Sequence, residues 1–290
     1  MTLPGSLVST AWLADHLDDP ALRILDCTVF LRAPAPGSDR RSYVQQSGIE
    51  DWAKGHIPGA GFADLVHELS DPGASLPFMM PSPSRFADAM ARYGVGDDST
   101  VVLYDASSTM WATRVWWMLR AFGFDNAAIL DGGWKKWTLE GRRASIEPPA
   151  ITPATFTPRP RPELIASKED VLAAITGGGA CVVNALTPEQ HRGDVAPYGR
   201  PGRIASSVNV SARDLVDRET GAYLPLERLR DQCESPGALS AGRVITYCGG
   251  GIAATSTAFV LTLLGHENVA VYDGSMSEWG RDESLPMEVG

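Results

Sequence analysis

The clearest capacity for chemistry lies at Cys248, in the stretch Tyr247-Cys248-Gly249-Gly250-Gly251-Ile252-Ala253-Ala254-Thr255. A β-branched run, Arg243 to Tyr247, precedes it, and a helical run, Ile252 to Leu264, follows. The thiol is therefore expected at the carboxyl end of a buried strand, the edge at which open parallel sheets bind ligands. Glycines let the chain turn tightly and aim successive N–H groups inward, forming a nest for an anion. A helix N-terminus behind them adds positive potential. Such a setting stabilises a thiolate or a terminal persulfide sulfur. Three glycines alone are also what an ordinary strand–helix turn contains. The cysteine at the mouth of the loop is what favours catalysis, because a packing cysteine has no need of them.

The other cysteines, Cys27, Cys181 and Cys233, are scattered, with no C-x-x-C pair and no zinc spacing. They are expected to be free thiols packed as small hydrophobes, Cys27 and Cys181 within strands. His56 has no histidine near it with which to hold a metal and is expected to brace a turn. His16 and His266 read as surface residues.

An internal repeat organises the chain. Val101-Val102-Leu103-Tyr104-Asp105, a helical run from Ala112 to Phe122, Gly123 and Ala127-Ala128-Ile129-Leu130-Asp131-Gly132 make the first copy. Val244-Ile245-Thr246-Tyr247-Cys248, Ile252 to Leu264, Gly265 and Val269-Ala270-Val271-Tyr272-Asp273-Gly274 make the second. Asp105 thus stands where the second copy has Cys248, and the intervening loops differ in length by one residue. Further strands fit Ile24 to Cys27 and Cys181 to Asn184. Alternating strands and helices imply an α/β fold with parallel sheets covered on both faces. Between the copies, six prolines within residues 148–162 exclude helix and central strand. The expected organisation is a first domain over residues 1–145, an extended Pro-rich linker over 146–164 and a second domain over 165–290. Trp111, Trp116 and Trp117 are expected to pack between the domains, and Asp131 and Asp273 to brace turns.

The chain of 290 residues has a net charge of −10 and no Lys/Arg-rich stripe, which argues against nucleic-acid binding. It has no apolar run long enough to span a bilayer and no signal-like start, so a cytoplasmic protein without membrane partners is expected.

Gly55-His56-Ile57-Pro58-Gly59-Ala60, Tyr272-Asp273-Gly274-Ser275 and Glu278-Trp279 resemble motifs of the rhodanese family. The Cys248 loop falls where that family carries its active-site cysteine. The resemblance covers nearly the whole chain, in the tandem arrangement of thiosulfate and 3-mercaptopyruvate sulfurtransferases. It implies two rhodanese-like domains, each a parallel sheet flanked by helices on both faces, with the Asp105 copy catalytically inactive. It also implies double displacement: Cys248 takes a sulfane sulfur from a small anionic donor, and the persulfide passes it to a thiol, cyanide or a thioredoxin-like acceptor. The loop amides of Gly249, Gly250, Gly251, Ile252 and Ala253 would hold the persulfide, with no metal or organic cofactor. Arg192, Arg200 and Arg203 lie in the stretch from which the family draws its donor-binding arginines, although Gln190 replaces one of them.

The neutral loop is closer to the mercaptopyruvate pattern than to the Arg/Lys-bearing thiosulfate pattern. Gly250, however, stands where the mercaptopyruvate pattern has a serine. Phe78 and Val66 fall at the His and Asp positions of its proton relay. Two rivals are weaker. A Cys-based phosphatase needs an Arg six residues after the cysteine, where this chain has Ala254. A non-enzymatic binding module would have no need to retain Cys248 and its glycines, whereas a persulfide carrier feeding a partner protein would use both and is the remaining alternative.

Overall fold

The computed structural model describes residues 1–33 and 43–290. Two five-stranded parallel sheets form its frame. The first contains β1 (Leu7–Val8), β2 (Leu22–Asp26), β3 (Ala60–Phe62), β4 (Thr100–Tyr104) and β5 (Ala127–Leu130), in the spatial order β3-β2-β4-β5-β1. The second contains β6 (Ile165–Ala166), β7 (Cys181–Asn184), β8 (Val208–Asn209), β9 (Val244–Tyr247) and β10 (Val269–Tyr272), in the order β8-β7-β9-β10-β6. The two orders are the same once the strands are matched copy to copy, so the sequence repeat is a repeat of topology.

Alternation along the strands sends side chains to opposite faces. In the first sheet Val102, Tyr104, Ala128 and Leu130 pack with Leu13 and Trp137 of two short helices. Val101, Leu103, Ala127 and Ile129 enter the larger core with the Met110–Ala121 helix. That helix and its counterpart, Ala253–Leu263, are buried almost all round, as apolar helices enclosed between layers must be. They pack against each other between the two sheets. Equivalent residues Thr113 and Thr255 meet there, Oγ1 to Oγ1 at 3.1 Å. Trp116 stands edge-on to Phe259 at 4.9 Å, and Trp117 donates its indole N–H to the Leu164 carbonyl. Gly123 and Gly265 follow the two helices at φ +86° and +93°, the left-handed stop that glycine supplies without strain.

The proline-rich segment carries no helix or strand from residue 146 to 161, yet it is not a free spacer. Ala154, Arg159 and Arg161 donate backbone N–H groups to the Ala91, Phe122 and Ala121 carbonyls, which stitch it along the first domain. His56 is fully buried, its ring nitrogens 2.8 and 3.1 Å from the Trp52 and Glu147 carbonyl oxygens, so it ties the turn before β3 to this segment. Among the described residues no helix is long and apolar enough to cross a membrane.

Candidate active site at Cys248

β9 lies between β7 and β10 in the second sheet, and Cys248 is the first residue beyond it. The cysteine is 2% exposed. Three contacts set the loop that follows. Ser275 Oγ accepts the N–H groups of Cys248 at 3.1 Å and Gly251 at 3.2 Å, and donates to the Tyr272 carbonyl at 2.7 Å. Met276 and Ser277 donate backbone N–H groups to the Cys248 and Gly249 carbonyls. Gly251 adopts φ +74°, and a Cβ there would lie 2.7 Å from Asp273 Oδ1, so both conformation and space require glycine. The N–H groups of Gly249, Gly250, Ile252, Ala253 and Ala254 have no hydrogen-bond partner among the described residues. They line the loop and the first turn of the helix behind it, where unpaired donors favour an anion.

The first domain supplies part of this site. Arg114, fully buried, pairs with Asp273 at 2.6 Å and reaches the Gly251 carbonyl at 3.4 Å and the Phe78 carbonyl at 2.5 Å. Asp273 also accepts the Met80 N–H at 2.7 Å. Its counterpart Asp131 accepts the Tyr223 N–H at 2.8 Å. Both aspartates thus clamp one domain to the other, rather than bracing their own turns as expected. A charge pair this deep is strongly destabilised by loss of one partner.

Tyr198, from the second domain itself, covers the loop. A Cβ at Gly249 would lie 2.0 Å from its Cζ, so the phenol occupies the space any side chain at 249 would need. Burial first, and then the neighbouring Cys248, push the phenol pKa upward and keep it a neutral donor.

None of the three expected arginines hydrogen-bonds within the Cys248 loop, though Arg200 lines a small pocket with Tyr198 and Met276 beside it. Arg192 pairs with Asp194 at 2.8 Å on the surface. Arg200 donates to the Trp279, Asp282 and Leu285 carbonyls. Arg203 pairs with Glu288 and the Gly290 carbonyl, beside the antiparallel pairing of Arg203–Ile204 with Met287–Glu288. Two of the three hold the C-terminal tail, a long-range contact that sequence proximity to the motif does not reveal. The remaining cysteines are packed thiols: Cys27 and Cys233 are fully buried, and burial pushes the Cys233 thiol up to about 12. Cys181 opens β7 and is half-buried, and Cys27 sits one residue past β2, its N–H on the Tyr104 carbonyl. Arg114 and Ser275 were missed, though both left a signal. An arginine inside an apolar helix must find a buried partner, and Ser275 replaces the Gly133 of the first copy.

A duplicated α/β sheet with a cysteine at the mouth of a glycine loop is the architecture of a known class, and comparison with known proteins agrees. The model of the Rhodanese-like domain matches twice, over residues 9–140 and 167–282. The 3-mercaptopyruvate sulfurtransferase of Escherichia coli (strain K12) is 34% identical over 287 residues, covering 97% of each chain. The thiosulfate sulfurtransferase of Mus musculus is 31% identical over 287 residues, covering 95% of this chain and 92% of that one. The crystal structure of SseA from Escherichia coli aligns with a TM-score of 0.79 at 31% identity, over 93% of this chain and 98% of that one. The chain belongs to the rhodanese family in its tandem-domain form and is an enzyme of the sulfurtransferase class.

Proposed function

We propose that the chain moves a sulfane sulfur from 3-mercaptopyruvate or thiosulfate to a thiol or cyanide through a persulfide on Cys248. The observation that carries this reading is the ring of unpaired amides around the end of β9. The first copy supports it: there the loop amides converge on a carboxylate, Asp105, so loops of this build accept negative charge at that point.

The Cys248 thiolate attacks the outer sulfur of the donor. A Cys248–sulfur bond forms as the donor's sulfur–carbon or sulfur–sulfur bond breaks. The electron pair leaves with the pyruvate enolate, which takes a proton from solvent, or with sulfite. The acceptor then attacks the outer sulfur and releases the Cys248 thiolate. The amides of Gly249, Gly250, Ile252 and Ala253 would stabilise the persulfide anion in place, preorganised by the Ser275 hydroxyl. The neutral loop favours 3-mercaptopyruvate, and without a Ser-His-Asp relay the donor enters as its own thiolate. The first domain, with Asp105 for a nucleophile, is inactive and serves as the wall of the site.

Thiocyanate formation from cyanide, with each donor in parallel, tests the reading. Turnover with at least one donor is expected, together with a single added sulfur on Cys248 in the acceptor-free enzyme. Cys248→Ser should abolish turnover and leave thermal unfolding unchanged; an active variant would end the mechanism.

A further inference from the structure

Arg192, Arg200 and Arg203 already have acceptors, so a cation without one is the stronger candidate to meet an anionic donor. Arg213 meets the requirement. It lies in the short helical turn Ala212–Asp214, which begins three residues beyond the end of β8. β8, β7 and β9 run parallel, so the carboxyl end of β8 is on the same edge of the sheet as Cys248. The turn packs on the Ala253–Leu263 helix that follows the Cys248 loop, and the Ala212 N–H on the Ala185 carbonyl fixes it to the end of β7. Arg213 is exposed and makes no hydrogen bond or ion pair among the described residues. Its neighbour Asp214 is 3.6 Å from Arg218 instead.

Tyr198 is the second free group. Its ring lies on Gly249, and its hydroxyl has no partner among the described residues. Among the described residues, Cys248, Tyr43 and Arg213 are the titratable groups near that hydroxyl, and Arg213 is the cation. An unpaired guanidinium and an unpaired phenol therefore share the neighbourhood of the nucleophile.

We propose that Arg213 and Tyr198 together recognise the anionic end of the sulfur donor, a carboxylate or comparable oxyanion on a molecule small enough to reach Cys248. The proposal rests on the reading of Cys248 as the nucleophile. The guanidinium offers two parallel N–H donors to paired oxygens, and the neutral phenol adds a third donor. Together they offset the repulsion between an anionic donor and the Cys248 thiolate.

The test is steady-state kinetics at saturating cyanide with 3-mercaptopyruvate and thiosulfate, and loading of Cys248 by an uncharged dialkyl trisulfide, in which the thiolate takes an alkylthio group as a mixed disulfide and an alkyl persulfide anion leaves. Arg213→Gln should raise the KM of the anionic donor about ten- to hundredfold while kcat stays within about twofold. Arg213→Lys should recover part of the loss. Tyr198→Phe should raise the KM up to about tenfold. The uncharged donor should load Cys248 equally fast in all three variants, which shows nucleophile and fold intact. An unchanged KM in Arg213→Gln, or an equal loss with the uncharged donor, overturns the proposal. A wild-type enzyme inert with every donor instead sinks the reading of Cys248 itself.

Discussion

Asp105 and Cys248 occupy matching positions at the ends of matching strands, and the loops after them solve opposite problems. In the first copy, Asp105 Oδ1 accepts the N–H groups of Ser107, Ser108 and Thr109 at 2.8–3.0 Å, and Oδ2 accepts those of Trp111 and Ala112 at 3.0 and 3.1 Å. The loop is filled by an anion it carries itself. In the second copy Ser275 takes two of the loop amides from outside, and among the described residues the others are left open. A carboxyl group carried by the loop makes a structural plug; with a cysteine in its place the same amides are left without one. The strands before the loops differ in the same sense. Asp26 ends β2 and lies beside Asp105 and Tyr104. Asn184, its neutral counterpart, ends β7 and donates to the Tyr247 hydroxyl at 2.8 Å.

The sharpest way to break this comparison is to cut the tie between its halves. Arg114→Met leaves Asp273 buried without its cation, and unfolding free energy should fall by about 3–5 kcal/mol. Denaturant titration measures it, and a loss below 1 kcal/mol would mean that the interface does not depend on the pair. Asp105→Ala should cost about 3 kcal/mol or more, since several buried amides lose their acceptor together. If that variant instead unfolds like wild type, the carboxylate is not the plug of its loop.

Asp26→Asn sharpens the contrast by making the first copy resemble the second. Burial, the largest cause, holds the Asp26 carboxyl up at about 6, against 3.8 ordinarily. A folded-state value above the unfolded one means the native protein binds more protons between these limits, so this residue adds stability as pH falls from about 6 to 3.8. At pH 7 its ionised form is a burden on the order of 2–3 kcal/mol. The amide variant should therefore be more stable at pH 7, with the advantage shrinking towards pH 4. An advantage that grows on acidification would reverse the assignment. The smallest effect is expected of Ser275→Ala, which keeps the backbone at φ 49° but frees two loop amides. Turnover should fall about tenfold, roughly 1.4 kcal/mol of transition-state stabilisation, with melting lowered by less than in Asp105→Ala, since two amides rather than five lose their acceptor. An unchanged kcat would show that the loop holds its shape without the hydroxyl.

Much of this was legible before any coordinates. The matched motifs around Asp105 and Cys248 anticipated two sheets of one topology, because strand and helix periodicity and the glycine stops are local signals. The cysteine at a strand end was legible for the same reason. What escaped were pairings between residues far apart in the chain. Arg200 and Arg203 hold the C-terminal tail, Asp131 and Asp273 reach into the opposite domain, and Tyr198 lies over Gly249. Each depends on which surfaces meet after folding, and side-chain type at one position does not encode that. The proline segment lies between these cases: its lack of helix and strand was written in its prolines, its anchoring to Ala91, Ala121 and Phe122 was not.

The packing of Tyr198 on Gly249 also constrains how this enzyme could change over generations. With 2.0 Å between the phenol Cζ and the nearest position for a Cβ, no side chain can be added at 249 while the tyrosine stays in place. A side chain directly after the cysteine therefore requires the Tyr198 phenol to turn away or be replaced. Any change at 249 is thus tied to a change at 198.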